Sequence, residues 1–406
     1  MRITLFALAG GAAAQSFISS NPGGAILAGR HAPSIAGFRN ATVSISRGGL
    51  AVCVSGTITV TANTTSNIKF NLEIPQNQTQ LSESFVELST SGTPVTEEIV
   101  GGLLSAAGTF TIGATLCTPA DNTKPKGVQL LTHGVGFDRY YWDFAPGYSY
   151  VDSAVQNGYA AFFYDRLGVG VSDKPDALKV VQAPLQVEIA HELAKKLRSG
   201  SYSDIAFEQV VGVGHSFGSA VTQGVTAHYP SALDAAILTG FTVNSTGINV
   251  FLLGLNFAIA NENQPYRFPT LSNGYIVSGT AVSNQIAFFR APGFDPAILA
   301  LAEAMKATAT LGELLTTTVV IAGAPDYTKP LAVVNGAEDL PFCFGNCSYP
   351  SNKAAIVQLA LYPNVSASCF GTYLAPDTGH GLNLHYGAVG AYEYIQTFLK
   401  EHGLGL

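Results

Sequence analysis

The run Val210-Val211-Gly212-Val213 ends directly in Gly214-His215-Ser216-Phe217-Gly218, with the small residues Ser219 and Ala220 behind it. An apolar β-like run followed by small residues predicts a buried strand, a sharp turn and a helix packed back against that strand. A serine at such a turn takes a strained backbone, and the glycines two residues to either side leave room for strand and helix to pass. In a chain with 43 glycines the five-residue pattern gains its meaning from the strand before it, the small residues after it and an ordered set of partners. It also makes Ser216 the candidate nucleophile.

The rest of the chain supplies a context for the unit. Apolar runs at Val128 to Thr132, Ala160 to Tyr164, Val210 to Val213, Ala235 to Leu238 and Leu331 to Val334 alternate with helical segments. That alternation predicts an α/β fold with a mostly parallel sheet covered by helices. Gln186 to Arg198 carries apolar residues at helical spacing, and Lys195, Lys196 and Arg198 suit the negative end of the helix dipole before Gly200. Ahead of the alternation, about Ala41 to Cys117 is rich in Thr, Ser, Val and Ile, which predicts β-hairpins in a β-rich N-terminal extension over 15–107. Between about 241 and 327 the alternation stops in a stretch rich in Phe, Tyr, Leu and Ala. A stretch of that length is expected to be an inserted helical cap rather than a loop. The core resumes at Lys329 and closes on an amphipathic helix from about Tyr386 to Glu401.

Composition narrows the function. The 406 residues are 47% hydrophobic and 12% charged with a net charge of −7, so no basic surface for nucleic acid is expected. Met1-Arg2, the apolar Ile3 to Ala13 and an Ala-x-Ala at Ala12 to Ala14 read as a secretory signal over 1–14. No later segment reads as a membrane span. Asn-x-Ser/Thr sequons at Asn40, Asn63, Asn77, Asn244, Asn346 and Asn364 fit a secreted glycoprotein. Five cysteines in an oxidising compartment predict disulfides, with Cys53 and Cys117 as one pair and two of Cys343, Cys347 and Cys369 as another. No Cys/His group has metal-ligand spacing, so neither a metal nor a cofactor is expected.

A serine hydroxyl needs a histidine to take its proton and a carboxylate to orient that histidine. Leu331 to Asn335 runs into Gly336-Ala337-Glu338-Asp339, which puts a carboxylate beyond the C-terminal end of a parallel strand. Asp339 is the expected acid and Glu338 its rival. The strand-like Ser366 to Leu374 leads to Ala375-Pro376-Asp377-Thr378-Gly379-His380, which makes His380 the expected base; His385, at the start of the final helical region, suits the role less well. The tetrahedral intermediate requires two oxyanion donors. One is expected from the Phe217 N–H, the other from Val135, or from Gly134, in His133-Gly134-Val135-Gly136 after the strand Val128 to Thr132. His133 is expected to brace that loop.

In this order, His133-Gly134, Asp165-Arg166-Leu167-Gly168-Val169-Gly170-Val171-Ser172, the turn at Ser216, Gly336 to Asp339 and Gly379-His380 resemble the α/β-hydrolase superfamily from roughly Gly108 to the C-terminus. The signal and extension add a similarity to its secreted fungal members. The resemblance implies structural roles for Asp165 and Arg166 and a hydrolase domain over 108–406. It further implies a serine esterase or lipase-like enzyme with Ser216, Asp339 and His380 as its catalytic residues. A serine at the turn argues against epoxide hydrolysis and dehalogenation. Phe137, Tyr140, Tyr141, Trp142 and Phe144, with Phe251, Leu252, Leu253, Phe257, Phe288 and Phe289 of the cap, suggest a small apolar or aromatic ester as substrate. A biosynthetic lactonase or thioesterase, and a non-catalytic interaction protein on the same fold, are the competing expectations.

Overall fold

The computed structural model describes residues 29–90 and 98–405. The expected signal segment lies outside them. Nine strands form one sheet in the order β1-β2-β3-β5-β4-β6-β7-β11-β12. Its parallel part is β4 (Gly127–Thr132), β5 (Tyr159–Tyr164), β6 (Gln209–His215), β7 (Ala235–Thr239), β11 (Leu331–Gly336) and β12 (Phe370–Ala375). Helices cover both faces of these central strands, so β4, β5, β7 and β11 are buried along their whole length. All six strands end at one edge, and the loops leaving that edge carry every candidate site residue.

The extension belongs to this sheet. The antiparallel strands β1 (Arg39–Ile45), β2 (Ala51–Phe70) and β3 (Val100–Pro119) join it through the β3–β5 pairing. The boundary expected at 107/108 therefore falls inside one continuous strand. Between β2 and β3 lies α1 (Gln78–Ser89), a helix within a stretch that reads as hairpins. Asn77 caps it by accepting from the Gln80 N–H, and Leu81 and Phe85, one turn apart, are its buried residues.

In the body, α2 (Ala183–Arg198) and α3 (Phe217–His228) flank the parallel strands. The chain between β7 and β11 leaves the sheet and forms the cap. Its helices include α4 (Ile248–Leu255), α5 (Ala281–Phe288), α6 (Pro296–Met305) and α7 (Leu311–Thr316), and it also holds a small antiparallel sheet of β8 (Ala258–Ile259), β9 (Tyr275–Val277) and β10 (Ala309–Thr310). Beyond β11, α8 (Leu340–Cys343) precedes β12 and α9 (Ala388–Glu401) follows it. The extension reaches the cap through α1: Phe85 stacks on Phe257 at 5.1 Å between ring centroids, and Gln78 bonds the Phe257 carbonyl and the Ile259 amide. Cys53 is joined to Cys117 across β2 and β3, and Cys343 to Cys347 beside α8; Cys369 is free and half-buried. Among the described residues, no helix is long and apolar enough to cross a membrane.

Candidate active site

Ser216 caps the N-terminus of α3 with φ 55° and ψ −119°. A non-glycine residue in that region costs on the order of 1–3 kcal/mol, so the surroundings must impose it. They do so by contact. A Cβ on Gly218 would lie 2.0 Å from the Thr132 carbonyl oxygen, and one on Gly214 would lie 2.4 Å from the Gly218 carbonyl oxygen. Strand, turn and helix therefore pass at distances only glycine allows, and the serine between them is pushed out at the sheet edge.

His380 Nε2 is 2.8 Å from Ser216 Oγ, and His380 Nδ1 is 2.6 Å from Asp339 Oδ2. Asp339 has further work: its Oδ1 accepts the Phe342 N–H at 2.9 Å and caps α8. That bond leaves Oδ2 for the histidine. Nearby, the Cys343–Cys347 disulfide fastens the acid's loop, and the Cys347 N–H donates to the Ala337 carbonyl at 2.9 Å. Glu338 instead pairs with Arg290 at the surface. The rival carboxylate thus makes no bond to the histidine.

His385 supports the loop of His380. Its Nε2 accepts the Gly379 N–H at 3.1 Å and the Arg290 N–H at 2.9 Å, while Nδ1 meets the Gly381 carbonyl at 2.9 Å. Only a neutral ring with its proton on Nδ1 can make all three bonds. Burial agrees with this, pushing His385 down to about 4. His215 is also buried, with Nδ1 3.0 Å from Thr239 Oγ1 and its ring stacked on Tyr141 at 4.5 Å. Desolvation, and then the neighbouring His380, hold it well below the usual histidine value.

On the other side of Ser216 lies the loop His133-Gly134-Val135. A Cβ on Gly134 would approach the Ser216 Cβ to 2.9 Å, so only glycine lets this loop lie against the serine. Neither the Val135 nor the Phe217 N–H has an acceptor among the described residues. His133 is fully buried and fixed by two bonds: the Arg166 N–H donates to its Nε2 at 3.2 Å, and its Nδ1 meets the Gly134 carbonyl at 2.8 Å. Desolvation and the Arg166 charge hold it well below the ordinary value.

Asp165 accepts the Arg139 guanidinium, the Arg139 N–H at 3.1 Å and the Val171 N–H at 2.9 Å, which ties the turn after β5 together. Arg166 does something that local sequence does not announce. Its guanidinium is completely buried, pairs with Glu313 of α7, donates to the Gly134 carbonyl at 3.2 Å and lies 4.5 Å over the Phe217 ring. The only sequence trace of Glu313 is Thr310-Leu311-Gly312-Glu313, a capping box at the start of α7.

The cap closes over the serine. Ser216 is 7% exposed, His380 1% and Asp339 0%. Phe251 of α4, Phe288 of α5 and Phe342 of α8 surround the His380 ring at 5.2, 6.1 and 5.8 Å, and Phe137 packs on Phe288 at 5.0 Å. Several aromatic residues expected in this lining lie elsewhere. Phe257 stacks on α1, Phe289 packs on Phe294 at 5.0 Å, and Trp142 sits against Tyr150 at 5.2 Å. Leu253 faces outward, 46% exposed.

Among solved structures, the chain is similar to a soluble variant of monoglyceride lipase from Saccharomyces cerevisiae, at 13% identity over 72% of this chain and 92% of that one, with a TM-score of 0.48. An alpha/beta hydrolase, GrgF, from Penicillium sp. sh18 is 17% identical over 72% and 94%, with a TM-score of 0.47. A monoacylglycerol lipase from Paleococcus ferrophilus is 12% identical over 69% and 96%, with a TM-score of 0.47. Comparison with curated proteins returns no match. The model of the alpha/beta hydrolase family, however, matches residues 129–391, from inside β4 to inside α9 and across every loop described above, and the chain belongs to that family.

Proposed function

We propose that this protein is a secreted serine hydrolase that cleaves carboxylic esters of apolar substrates through an acyl-enzyme on Ser216. The observation that carries the reading is the bonded series Asp339–His380–Ser216, at 2.6 and 2.8 Å, beneath an aromatic cap. In this reading Ser216 Oγ attacks the ester carbonyl and His380 Nε2 takes its proton, while Asp339 keeps the imidazole oriented and stabilises its charge. The Val135 and Phe217 N–H groups receive the oxyanion. His380 then protonates the departing alcohol, and water, activated by the same nitrogen, releases the acid. Phe137, Phe251 and Phe288 offer an apolar surface to the substrate and exclude water, which strengthens every interaction with the developing charge.

The expected layout is part of the proposal in this form: a signal over 1–14, an extension over 15–107 whose last strand runs on without a break into the hydrolase region over 108–406, and a cap at about 241–327. Secretion is supported by the two disulfides and by the exposed sequon asparagines Asn40, Asn63, Asn77, Asn346 and Asn364. It predicts a mature N-terminus at Gln15 and a mass shift on endoglycosidase treatment.

Labelling with a fluorophosphonate, together with a panel of p-nitrophenyl esters graded by acyl length, tests the chemistry. The wild type is expected to label and turn over. Ser216→Ala should not label, and Ser216→Ala and His380→Ala should each lose on the order of 10⁵–10⁶ in kcat. Labelling that survives Ser216→Ala would defeat the reading. Ser216-dependent labelling without turnover of any simple ester would favour a biosynthetic substrate on the same machinery.

A further inference from the structure

We propose that Arg166 is a positioning residue for the oxyanion site, fixing and polarising the Gly134–Val135 peptide, and that Glu313 of the cap holds it in place. The proposal rests on the ester-hydrolase reading above and deepens it.

The Gly134 carbonyl and the Val135 N–H belong to one peptide unit. That unit is trans, since the cis bonds among the described residues are Ala291–Pro292 and Tyr349–Pro350. In a trans peptide the N–H points opposite to the C=O, so whatever grips the oxygen aims the hydrogen. Two donors grip it: His133 Nδ1 at 2.8 Å and Arg166 Nη2 at 3.2 Å. The histidine is committed to donating, because its Nε2 already accepts the Arg166 N–H at 3.2 Å. Arg166 therefore acts on this peptide twice, through its guanidinium and, by way of the histidine, through its own amide.

The guanidinium adds charge as well as direction. A cation bonded to a peptide oxygen draws electron density from the N–H on the same unit, and hydrogen bonds in series strengthen one another by roughly 10–30% each. The effect is greatest in a dry site, and both Arg166 and Glu313 have fully buried side chains. The same guanidinium lies over the ring of Phe217, whose N–H is the second proposed donor. Both donors are thereby built around one cation.

Glu313 explains why that cation stays put. One of its oxygens pairs with Arg166 and accepts from Gln186 Nε2 at 2.9 Å, and the other accepts the Thr310 N–H at 3.1 Å. Burial raises the carboxyl's pKa, and Arg166 with the Thr310 amide opposes that rise. Thr310 and Glu313 lie in the cap, Gln186 in α2 and Arg166 after β5. Cap, body and oxyanion loop thus meet at one ion pair.

The test compares wild type, Arg166→Met, Arg166→Lys, Glu313→Gln and the double variant Arg166→Met/Glu313→Met, which leaves no unpaired buried charge. Three quantities are measured: kcat and KM on a short p-nitrophenyl ester, affinity for a trifluoromethyl ketone that Ser216 converts to an oxyanion, and affinity for the matching alcohol. Arg166→Met and the double variant are expected to lose ~30–100-fold in kcat, somewhat less than deletion of an oxyanion donor, with KM within about 2-fold. Ketone affinity should fall by the same factor while alcohol affinity holds. Arg166→Lys should recover part of the loss, and Glu313→Gln should lose a few-fold. A folded double variant with kcat within about 3-fold of wild type would overturn the proposal, as would a kcat loss with ketone affinity unchanged. If the wild type neither turns over esters nor labels through Ser216, the underlying reading fails, and this proposal with it.

Discussion

At the scale of single residues, the site is set by what cannot be larger and by what cannot be charged. A methyl group at Gly218 has nowhere to go, so Gly218→Ala is expected to cost about 3 kcal/mol or more, or to prevent folding, whereas Gly323→Ala, with nothing within 4 Å, should be close to neutral. Urea midpoints of the two variants decide this. His133, His215 and His385 stay neutral when folded, with His385 down to about 4 against an ordinary 6.5. Below pH 6.5 the unfolded chain takes up protons that the folded chain refuses. Stability is therefore complete above that pH and falls as pH drops toward 4. His385 alone accounts for about 3 kcal/mol across the interval. Urea midpoints from pH 7 to pH 4.5 should fall steeply for the wild type and less steeply for His385→Gln; parallel curves would refute the assignment.

At the scale of elements, the cap is held along its flank as well as at its ends. Phe85 of α1 is buried against Phe257 of the cap, so Phe85→Ala is expected to cost roughly 3 kcal/mol and to open the 241–327 segment to limited proteolysis before the body is cut. A cap that stays resistant while thermal stability falls would show that α1 supports the body alone. The five inner strands of the parallel sheet were legible within a residue or two, because a strand covered on both faces is largely apolar, as Ala160 to Tyr164 shows, whereas the half-buried last strand, expected from Ser366, begins only at Phe370 after a short turn at Ala367–Cys369. The helix α1 was missed although Leu81, Phe85 and Leu88 repeat at helical spacing behind Asn77, because that one short signal lies between long Thr-, Ser- and Val-rich strands whose alternation dominates the stretch. Strands as short as Ala258–Ile259 carry no pattern at all. Ser216, Asp339 and His380 could be picked out because each follows a recognisable strand. Nothing local joins Arg166 to Glu313, which are 147 residues apart and meet only through the cap.

At the scale of the whole molecule, the two disulfides have different tasks. Cys53 and Cys117 close a loop with a sequence separation of 64, for which chain entropy suggests about 4 kcal/mol; Cys343 and Cys347 are separated by 4 and should add only about 2. The paired variant Cys53→Ala/Cys117→Ala should accordingly lower the denaturation midpoint more than Cys343→Ala/Cys347→Ala. The second pair should instead depress kcat, because it anchors the loop carrying Asp339; equal effects of both pairs on stability and rate would contradict this division. The strand Val100–Pro119 has a different consequence. At about 3.3 Å per residue its 20 residues reach roughly 65 Å, paired with β2 through two register shifts and, over Ala114 to Cys117, with β5. The cap is tied to this sheet through α1, by Phe85 on Phe257 and by Gln78 on Phe257 and Ile259. Under the proposed ester-hydrolase reading, this tie leaves the rings of Phe251 and Phe288, packed on each other and on His380, as the part expected to rearrange for entry to Ser216, so straight-chain p-nitrophenyl esters should turn over faster than branched ones.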